Sequence, residues 1–190
     1  MELIERMRQR ILEIGDPESN YTQEDFNNEF KTEKLNYMPT FKLQLKYSNL
    51  SNNEDPKYAT NLSSGFDFRA NLDKPFILEK GKRGVIPTGI FFEIPENFEI
   101  QVRPRSGLAA KNGVTVLNTP GTIDADYRGE IKIILINLGD EDFTINHGDR
   151  IAQGVFASVL SKNIVDFIKV DKIDENTERG SGGFGSTGSK

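Results

Sequence analysis

Residues 113–131 read GVTVLNTPGTIDADYRGEI, and this stretch decides the fold class. Two short arms rich in β-branched residues, 114–117 and 122–123, flank the segment Asn118-Thr119-Pro120-Gly121. A Pro-Gly pair between β-prone arms predicts a tight β-hairpin. Because such a turn presents backbone N–H and C=O groups on a rigid edge, it can match the hydrogen-bonding groups of a base. An ordinary surface hairpin with solvated aspartates is the alternative.

The sequence on either side of the hairpin continues the β pattern. Phe98, Ile100 and Val102 alternate with polar residues, as expected for a strand with one buried face. Further strand candidates are the alternating residues Phe41, Leu43, Leu45 and Tyr47 and the apolar runs 85–94, 131–138, 151–159 and 164–170. Many short strands separated by Gly and Pro turns predict an all-β sandwich, jelly roll or barrel.

The two ends of the chain differ from this β core. Residues 1–38 are predicted to be a helical extension, with an apolar stripe at Ile4, Met7, Ile11 and Ile14 and a second helix over 22–34 capped by Thr22. The extension is expected to dock on the core or on a neighbouring subunit; a partner-binding segment and a disordered segment stay open. The predicted domains are the extension 1–38, the β core 39–176 and a flexible arm 177–190.

The composition excludes several kinds of site. The chain has no cysteine, and His147 is its only histidine, so a Cys-His pair, a Ser-His-Asp triad or a zinc cluster is hard to build. Hydrolysis would therefore rely on carboxylates and a hard metal ion. A net charge of −5 argues against nonspecific nucleic-acid binding. With no apolar run of the roughly 20 residues that span a bilayer, a cytoplasmic location is expected.

Two segments have residues that suit phosphate groups. In Arg103-Pro104-Arg105-Ser106-Gly107-Leu108-Ala109, arginine, a hydroxyl and backbone N–H groups at a Gly turn can form an anion nest. In 179–188, glycines alternate with Arg179, Phe184 and hydroxyl residues, which suits an arm that closes over a nucleotide. A strand end with solvated arginines and a plain flexible linker are the respective alternatives.

Two further segments are nonspecific when taken alone. Residues 65–70 read GFDFRA and residues 148–153 read GDRIAQ. Asp67 in the first could pair with Arg69 or with another cation in the fold.

Together these five segments, in this order, resemble the motifs of the trimeric deoxyuridine triphosphate nucleotidohydrolases, or dUTPases. The resemblance covers roughly Phe41 to Gly188. It implies a distorted jelly roll of the β-clip type, a homotrimer with sites at subunit contacts, and Mg2+-dependent hydrolysis of dUTP to dUMP and pyrophosphate. Such an enzyme limits uracil incorporation into DNA and supplies dUMP for thymidylate synthesis.

The resemblance also implies a role for individual residues. Asp124 takes the position of the carboxylate that activates water, and Asp67 has a supporting role near the metal waters or Asp124. Mg2+ has no direct protein ligand, because the triphosphate and waters hold it. The implied substrate-binding residues are Arg105, Ser106, Gly107, Asn118, Gly121, Thr122, Ile123, Tyr127, Gln153, Arg179, Phe184, Gly185, Ser186 and Thr187.

Two rival interpretations stay open at this point. A dCTP deaminase shares the fold but would need a glutamate where Asp124-Ala125-Asp126 stands. A regulatory protein built on the same fold would use residues 1–38 to bind a further partner, with or without turnover. Nothing in the sequence points to a direct nucleic-acid or membrane partner.

Overall fold

The computed structural model describes residues 5–6, 9–10, 13, 19–29, 43–162 and 164–183. The chain divides into two compact units, Met1–Gln44 and Leu45–Lys190. The second unit is mostly β-structure with one short helix. Its elements are β1 (Lys46–Asn49), β2 (Gly65–Arg69), β3 (Phe76–Leu78), β4 (Arg83–Pro87), β5 (Ile90–Glu93), β6 (Phe98–Arg103), α2 (Ser106–Asn112), β7 (Val114–Val116), β8 (Gly121–Ile123), β9 (Lys132–Asn137), β10 (Phe143–Ile145) and β11 (Arg150–Ser158).

Within the described residues, the strands form four small antiparallel sheets. Their orders are β1-β5, β3-β10, β2-β11-β6-β8 and β4-β9-β7. The all-β fold class is confirmed, and none of these sheets closes into a barrel. The alternation at Phe98, Ile100 and Val102 falls on β6 as predicted, with Ile100 and Val102 buried.

The core lies between the inner faces of these sheets. Phe66, Phe68 and Phe92 meet edge to face, with ring centroids 5.3 to 6.3 Å apart. Such pairs add about 0.5–1.5 kcal/mol each to the burial of their area. Gly154 lies directly over these rings, since an added Cβ would come within 2.6 Å of the Phe66 ring. This core holds β2 against β11, two of the strands that carry candidate site residues.

The predicted hairpin at 114–123 is wrong in its pairing. β7 pairs with β9, whereas β8 pairs with β6, so the two arms belong to different sheets. The segment 117–120 connects these sheets and contains a cis peptide bond between Thr119 and Pro120. Each arm finds a longer strand elsewhere to pair with, and local turn residues do not determine that choice.

The predicted strand at 164–170 is also absent. The described residues of this run have no strand assignment, and Phe167 and Ile168 are 100% and 82% exposed. A strand needs a partner for its backbone N–H and C=O groups, and the described part of a single chain offers none here. The apolar side chains of this segment are therefore uncovered within one chain.

The first unit contains helix α1 (Gln23–Glu29), and residues 5–6, 9–10 and 13 are also helical. The predicted cap at Thr22 is confirmed: its Oγ1 accepts from the Asp25 N–H at 3.1 Å, and Asp25 accepts in return from the Thr22 N–H at 2.9 Å. The predicted stripe at 4, 7, 11 and 14 and the end of the second helix lie outside the described residues. No helix in the described part of the chain is long and apolar enough to cross a bilayer.

Candidate functional site

A cleft of about 250 Å³ lies beside the end of β8. Thr122 and Ile123 from the strand, then Asp124 and Tyr127 from the following turn, line one part of it. The turn is closed by a hydrogen bond of 3.2 Å from the Tyr127 N–H to the Asp124 carbonyl. Four residues that the sequence predicted as site residues therefore surround one cavity, and the Asp124 side chain is solvent-accessible.

The Tyr127 ring has a fixed position in this cleft. Its hydroxyl donates to the Glu130 carbonyl at 3.0 Å, and 45% of the residue is exposed. Gly129 lies under the ring, where an added Cβ would be 2.6 Å from Cζ. A side chain at position 129 would therefore push the ring away, so the glycine is needed for the observed ring position.

Asn118 and Gly121 lie at the start of β8, at the other end of the strand from Asp124. A Cβ on Gly121 would be 3.2 Å from the Asn118 side-chain nitrogen and equally close to Val102 of β6. The Asn118 amide thus lies directly against the backbone at Gly121, the first residue of β8. The side-chain amide provides both donors and an acceptor for a planar base, next to the edge strand β8.

The outer face of the β2-β11-β6-β8 sheet holds a second group of candidate residues. Gln153 of β11 pairs in register with Asp67 of β2 on one side and with Arg103 of β6 on the other, so the three side chains share one face. The Gln153 side-chain N–H donates to the Pro104 carbonyl at 2.9 Å. This bond holds the end of β6 against β11.

Asp67 is the centre of an ion cluster on this face. Its Oδ1 is 2.9 Å from Arg105 Nε, and its Oδ2 accepts from Arg150 Nη1 at 3.3 Å. Arg105 Nη1 also donates to the Arg150 carbonyl at 3.1 Å. The predicted possibility that Asp67 pairs with Arg69 is not realised, since Arg69 instead pairs with Glu54 at 2.9 Å.

Arg105 immediately precedes α2, a helix that the sequence did not predict. Arg105 has extended backbone angles and gives the helix no side-chain cap. Ser106 and Gly107 form the exposed first turn, and a Cβ on Gly107 would meet nothing within 4 Å. The helix ends at Asn112 and is followed by Gly113, whose φ of 66° is left-handed and readily adopted by glycine.

Sequence reasoning missed Arg150 and Arg103 as site residues. Arg150 lies inside the 148–153 segment, and it is one of the unnamed cations that the sequence allowed beside Asp67. Arg103 shares a face with Asp67 and Gln153, and its guanidinium donates to the Gln101 side chain at 3.1 Å through Nε. The alternation of Gln101 and Arg103 with the buried residues of β6 is the signal that could have placed Arg103 on this face.

The start of the arm folds back on itself. The Arg179 side chain donates through Nε to the Gly182 carbonyl at 2.8 Å, and the Gly182 N–H donates to the Arg179 carbonyl at 3.1 Å. The remaining predicted arm residues lie outside the described residues. They are Phe184, Gly185, Ser186 and Thr187.

The comparisons with known proteins decide the family. A family model described as dUTPase matches residues 51–188. A deoxyuridine 5′-triphosphate nucleotidohydrolase of Bdellovibrio bacteriovorus is 56% identical over 149 residues, covering 77% of this chain and 97% of the relative. The chain belongs to the dUTPase family. The family predicted from the five motifs, and with it the enzyme class of a dUTP diphosphatase, is confirmed.

Solved dUTPase structures have the same fold. The dUTPase of Staphylococcus bacteriophage 80alpha, solved with dUPNHPP, has a TM-score of 0.65 and 26% identity, covering 76% of this chain and 98% of that chain. A mutant dUTPase from phage phi11 of S. aureus, whose structure concerns the coordination of a structural Mg(II) ion, has a TM-score of 0.60 and 22% identity, covering 68% of this chain and 98% of that chain. The second likeness supports the dUTPase fold alone.

The two groups of candidate residues belong to one sheet of this dUTPase chain, because β8 at the cleft pairs with β6, which in turn pairs with β11. Among the described residues, no hydrogen bond or ion pair joins Asp124 or Tyr127 to Asp67, Arg105 or Gln153. The cleft at β8 offers a carboxylate, a ring and backbone polar groups, whereas the outer sheet face offers guanidinium groups. The first group suits a base and sugar, and the second suits phosphates.

Proposed function

We propose that this dUTPase hydrolyses dUTP to dUMP and pyrophosphate, which keeps uracil out of DNA and supplies dUMP for thymidylate synthesis. The observation that carries this proposal is the cleft at β8, which brings Asp124 beside Tyr127, Thr122 and Ile123. A solvent-accessible carboxylate next to a ring and exposed backbone groups suits attack by water on a bound nucleotide. The chain has no cysteine and one histidine, so hydrolysis through a Cys-His pair or a Ser-His-Asp triad is hard to build.

The cleft and the neighbouring Asn118 would also set the choice of nucleotide. Backbone groups of β8 and the Asn118 amide would pair with uracil, and cytosine would leave buried polar groups unpaired. The 5-methyl group of thymine would collide with this rigid edge. Tyr127 would lie under the deoxyribose, where a 2′-hydroxyl has no room. Phe184 of the arm would stack on the base, with Gly185 allowing close approach.

We propose that the complete site forms between subunits of a homotrimer. Within one chain, the strand β8 at the nucleoside cleft and the cationic face belong to the same four-stranded sheet, and residues of a neighbouring chain would complete the site. Two uncovered apolar surfaces support an assembly: Phe167 and Ile168 after β11, and Val85 and Leu117 at 56% and 44% exposure on the β4-β9-β7 sheet. Covering such patches stabilises oligomers.

The phosphates would lie against Arg105 and the first turn of α2. Ser106 and the Gly107 N–H would donate to phosphate oxygens, and Gln153 would contact the α-phosphate region through its second amide hydrogen. Arg179, Ser186 and Thr187 would close over the γ-phosphate. For Arg179, this requires breaking the 2.8 Å hydrogen bond to the Gly182 carbonyl.

Asp124 would act as the general base. Its carboxylate accepts a proton from a water molecule as the water oxygen forms a bond to the α-phosphorus. The bond from this phosphorus to the bridging oxygen breaks, and pyrophosphate leaves with the electron pair. The guanidinium groups stabilise the negative charge on the leaving group.

A magnesium ion fits this site when carried by the substrate. The described residues contain no group of three or more His, Cys, Asp or Glu side chains that could hold a metal ion, and Asp67 gives both its oxygens to arginines. Mg2+ usually keeps several waters and binds phosphate oxygens with few protein ligands. Bound in this way, it would neutralise phosphate charge without a direct protein ligand.

A panel of nucleoside triphosphates tests the proposal. The purified protein should release pyrophosphate from dUTP in Mg2+ and show little turnover with dCTP, dTTP or UTP. EDTA should abolish the activity. Ammonia release from dCTP would instead support a deaminase, and a trimeric protein that leaves dUTP intact while consuming another triphosphate would refute the proposal.

The first unit, Met1–Gln44, has a role that the site in the second unit does not explain. It lies outside residues 51–188 that match the family, and it contains its own ionic cluster, in which Glu29 is 3.2 Å from Arg10 and accepts from the Tyr21 hydroxyl at 2.5 Å. We propose that residues 1–38 form a docking module for the core, a neighbouring subunit or a further partner. Deleting them separates these roles: loss of the trimer indicates a structural role, whereas intact turnover with a lost partner indicates an interaction module.

The absence of cysteine also leads us to propose a cytoplasmic location.

A further inference from the structure

The carboxylate of Asp67 lies between two guanidinium groups that come from distant parts of the chain. Oδ1 is 2.9 Å from Arg105 Nε, and Oδ2 accepts from Arg150 Nη1 at 3.3 Å. The three side chains are only partly exposed, at 28%, 27% and 49% for Asp67, Arg105 and Arg150. One carboxylate therefore connects β2, the end of β6 and the start of β11.

The cluster fixes the direction of the Arg105 guanidinium. Nε is held by Asp67, and Nη1 donates to the Arg150 carbonyl at 3.1 Å. Nη2 donates no hydrogen bond to any of the described residues. Because the guanidinium is planar and rigid, two fixed nitrogens determine where the hydrogens of the third point. Arg105 is thus oriented before any ligand arrives.

We infer that Asp67 is a positioning residue. It holds the Arg105 guanidinium so that the remaining N–H donors of Arg105 contact the triphosphate during the reaction. Arg150 contacts the other oxygen of the Asp67 carboxylate and keeps that carboxylate in place. The inference deepens the proposed function and depends on it. It gives Asp67 a task toward protein cations rather than toward Asp124 or the metal waters. The gain is alignment: no reorganisation of Arg105 is needed when charge builds up on the leaving phosphate.

The charges of the cluster predict which kinetic constant changes. With Asp67 present, the three groups together carry one positive charge. Without its carboxylate, two adjacent guanidinium groups repel each other and lose their alignment, but the local positive charge increases. The electrostatic attraction of the polyanionic substrate is then not reduced. The contact of Arg105 with the phosphates in the transition state, however, is weakened. Loss of the carboxylate should therefore lower kcat more than it raises KM.

Asp67→Asn tests this, because it keeps the side-chain shape and removes the charge. We expect kcat for dUTP to fall by roughly 10- to 100-fold, the cost of misplacing an aligned group by about 1 Å, with KM unchanged or lower. The matched control is Glu54→Gln. Glu54 lines a small cleft together with Asp67 and Arg150, and it pairs with Arg69 at 2.9 Å. Its substitution therefore removes one negative charge near Asp67 without touching Arg105. The control should stay within about twofold of the wild type.

A second variant covers the case in which Asp67→Asn does not assemble. Arg105→Lys keeps the charge but cannot contact Asp67, the Arg150 carbonyl and a phosphate in a fixed plane, so its kcat should fall similarly. The double variant should then be no slower than the slower single variant. Sedimentation and thermal unfolding confirm that each protein is folded and trimeric.

Three results would overturn the inference. They are a kcat of Asp67→Asn equal to that of Glu54→Gln, a rise in KM with kcat unchanged, and wild-type kcat in Arg105→Lys. If the wild-type protein itself does not cleave dUTP, the proposed function fails first, and that result is distinct from all three.

Discussion

Replacing Gly129 by alanine should displace the Tyr127 ring without unfolding the protein. A Cβ at position 129 would be 2.6 Å from Tyr127 Cζ and closer still to its hydroxyl, whereas ordinary contact is 3.4–4 Å. The ring must therefore move by about 1 Å or more, and its hydrogen bond to the Glu130 carbonyl at 3.0 Å is lost. Since the residue is 45% exposed, the ring can swing toward solvent.

The size of the effect follows from this displacement. A shift of about 1 Å in a group that aligns the substrate can cost on the order of 100-fold in rate, so kcat/KM for dUTP should fall roughly 10- to 100-fold. The cost in folding stability should be about 1 kcal/mol, at the low end for overpacking, because the ring is free to move outward. A ring that no longer lies under the sugar should also tolerate a 2′-hydroxyl better.

Steady-state release of pyrophosphate from dUTP and from UTP measures both effects, and urea unfolding measures stability. Tyr127→Phe is the matched control, because it removes the bond to Glu130 but leaves the ring above the glycine; its kcat/KM should stay within a few-fold of the wild type. If Gly129→Ala keeps wild-type kcat/KM and the same preference for dUTP over UTP, the Tyr127 ring does not lie under the deoxyribose and does not exclude the 2′-hydroxyl.

Four further predictions concern other parts of the chain. Asp124→Asn should bind dUTP in calorimetry yet lose at least roughly 100-fold in kcat; unchanged kcat would remove Asp124 from the base role. Truncation before Arg179 should sharply cut activity while sedimentation still shows a trimer, and loss of the trimer would mean that the arm is structural. Asn137→Ala should cost about 3 kcal/mol in urea unfolding, because the fully buried amide donates to two carbonyls at 2.9 and 2.8 Å and accepts from the Gly139 N–H; a loss below about 1 kcal/mol would contradict this. The Thr22 hydroxyl, and then the Thr22 N–H, hold the pKa of Asp25 below its ordinary 3.8. The cap therefore stabilises helix α1 above that pH and is lost as the pH falls through the lowered pKa. A carboxyl NMR titration should find a midpoint below 3.8 that moves up in Thr22→Ala, and an unshifted midpoint would contradict the cap.

Local patterns in the sequence predicted what depends on neighbouring residues. The alternation at Phe98, Ile100 and Val102 identified β6 because successive side chains of a strand point to opposite faces. A strand with one buried face therefore has an apolar residue at every second position. Thr22 identified the start of α1 because the capping hydrogen bond joins two residues that are three positions apart in the chain. The five motifs identified the family, although each alone was ambiguous.

Long-range pairing was beyond these patterns. The arms around Pro120 looked like a hairpin, yet β7 and β8 pair with β9 and β6, because alternation shows which residues face inward but not which strand lies alongside. Helix α2 was missed because it has no buried residue and hence no apolar stripe to detect. Arg150 was missed because its contact with Asp67 joins residues 83 positions apart in the chain.

Hydrolysis of dUTP in ¹⁸O-labelled water tests most directly whether water attacks the α-phosphorus. With the trimeric protein and Mg2+, mass spectrometry should find one ¹⁸O atom in each dUMP formed and none in pyrophosphate. In Asp124→Asn, labelled dUMP should form at least roughly 100-fold more slowly. Label in pyrophosphate instead of dUMP would place the attack on the β-phosphorus and contradict the proposed chemistry.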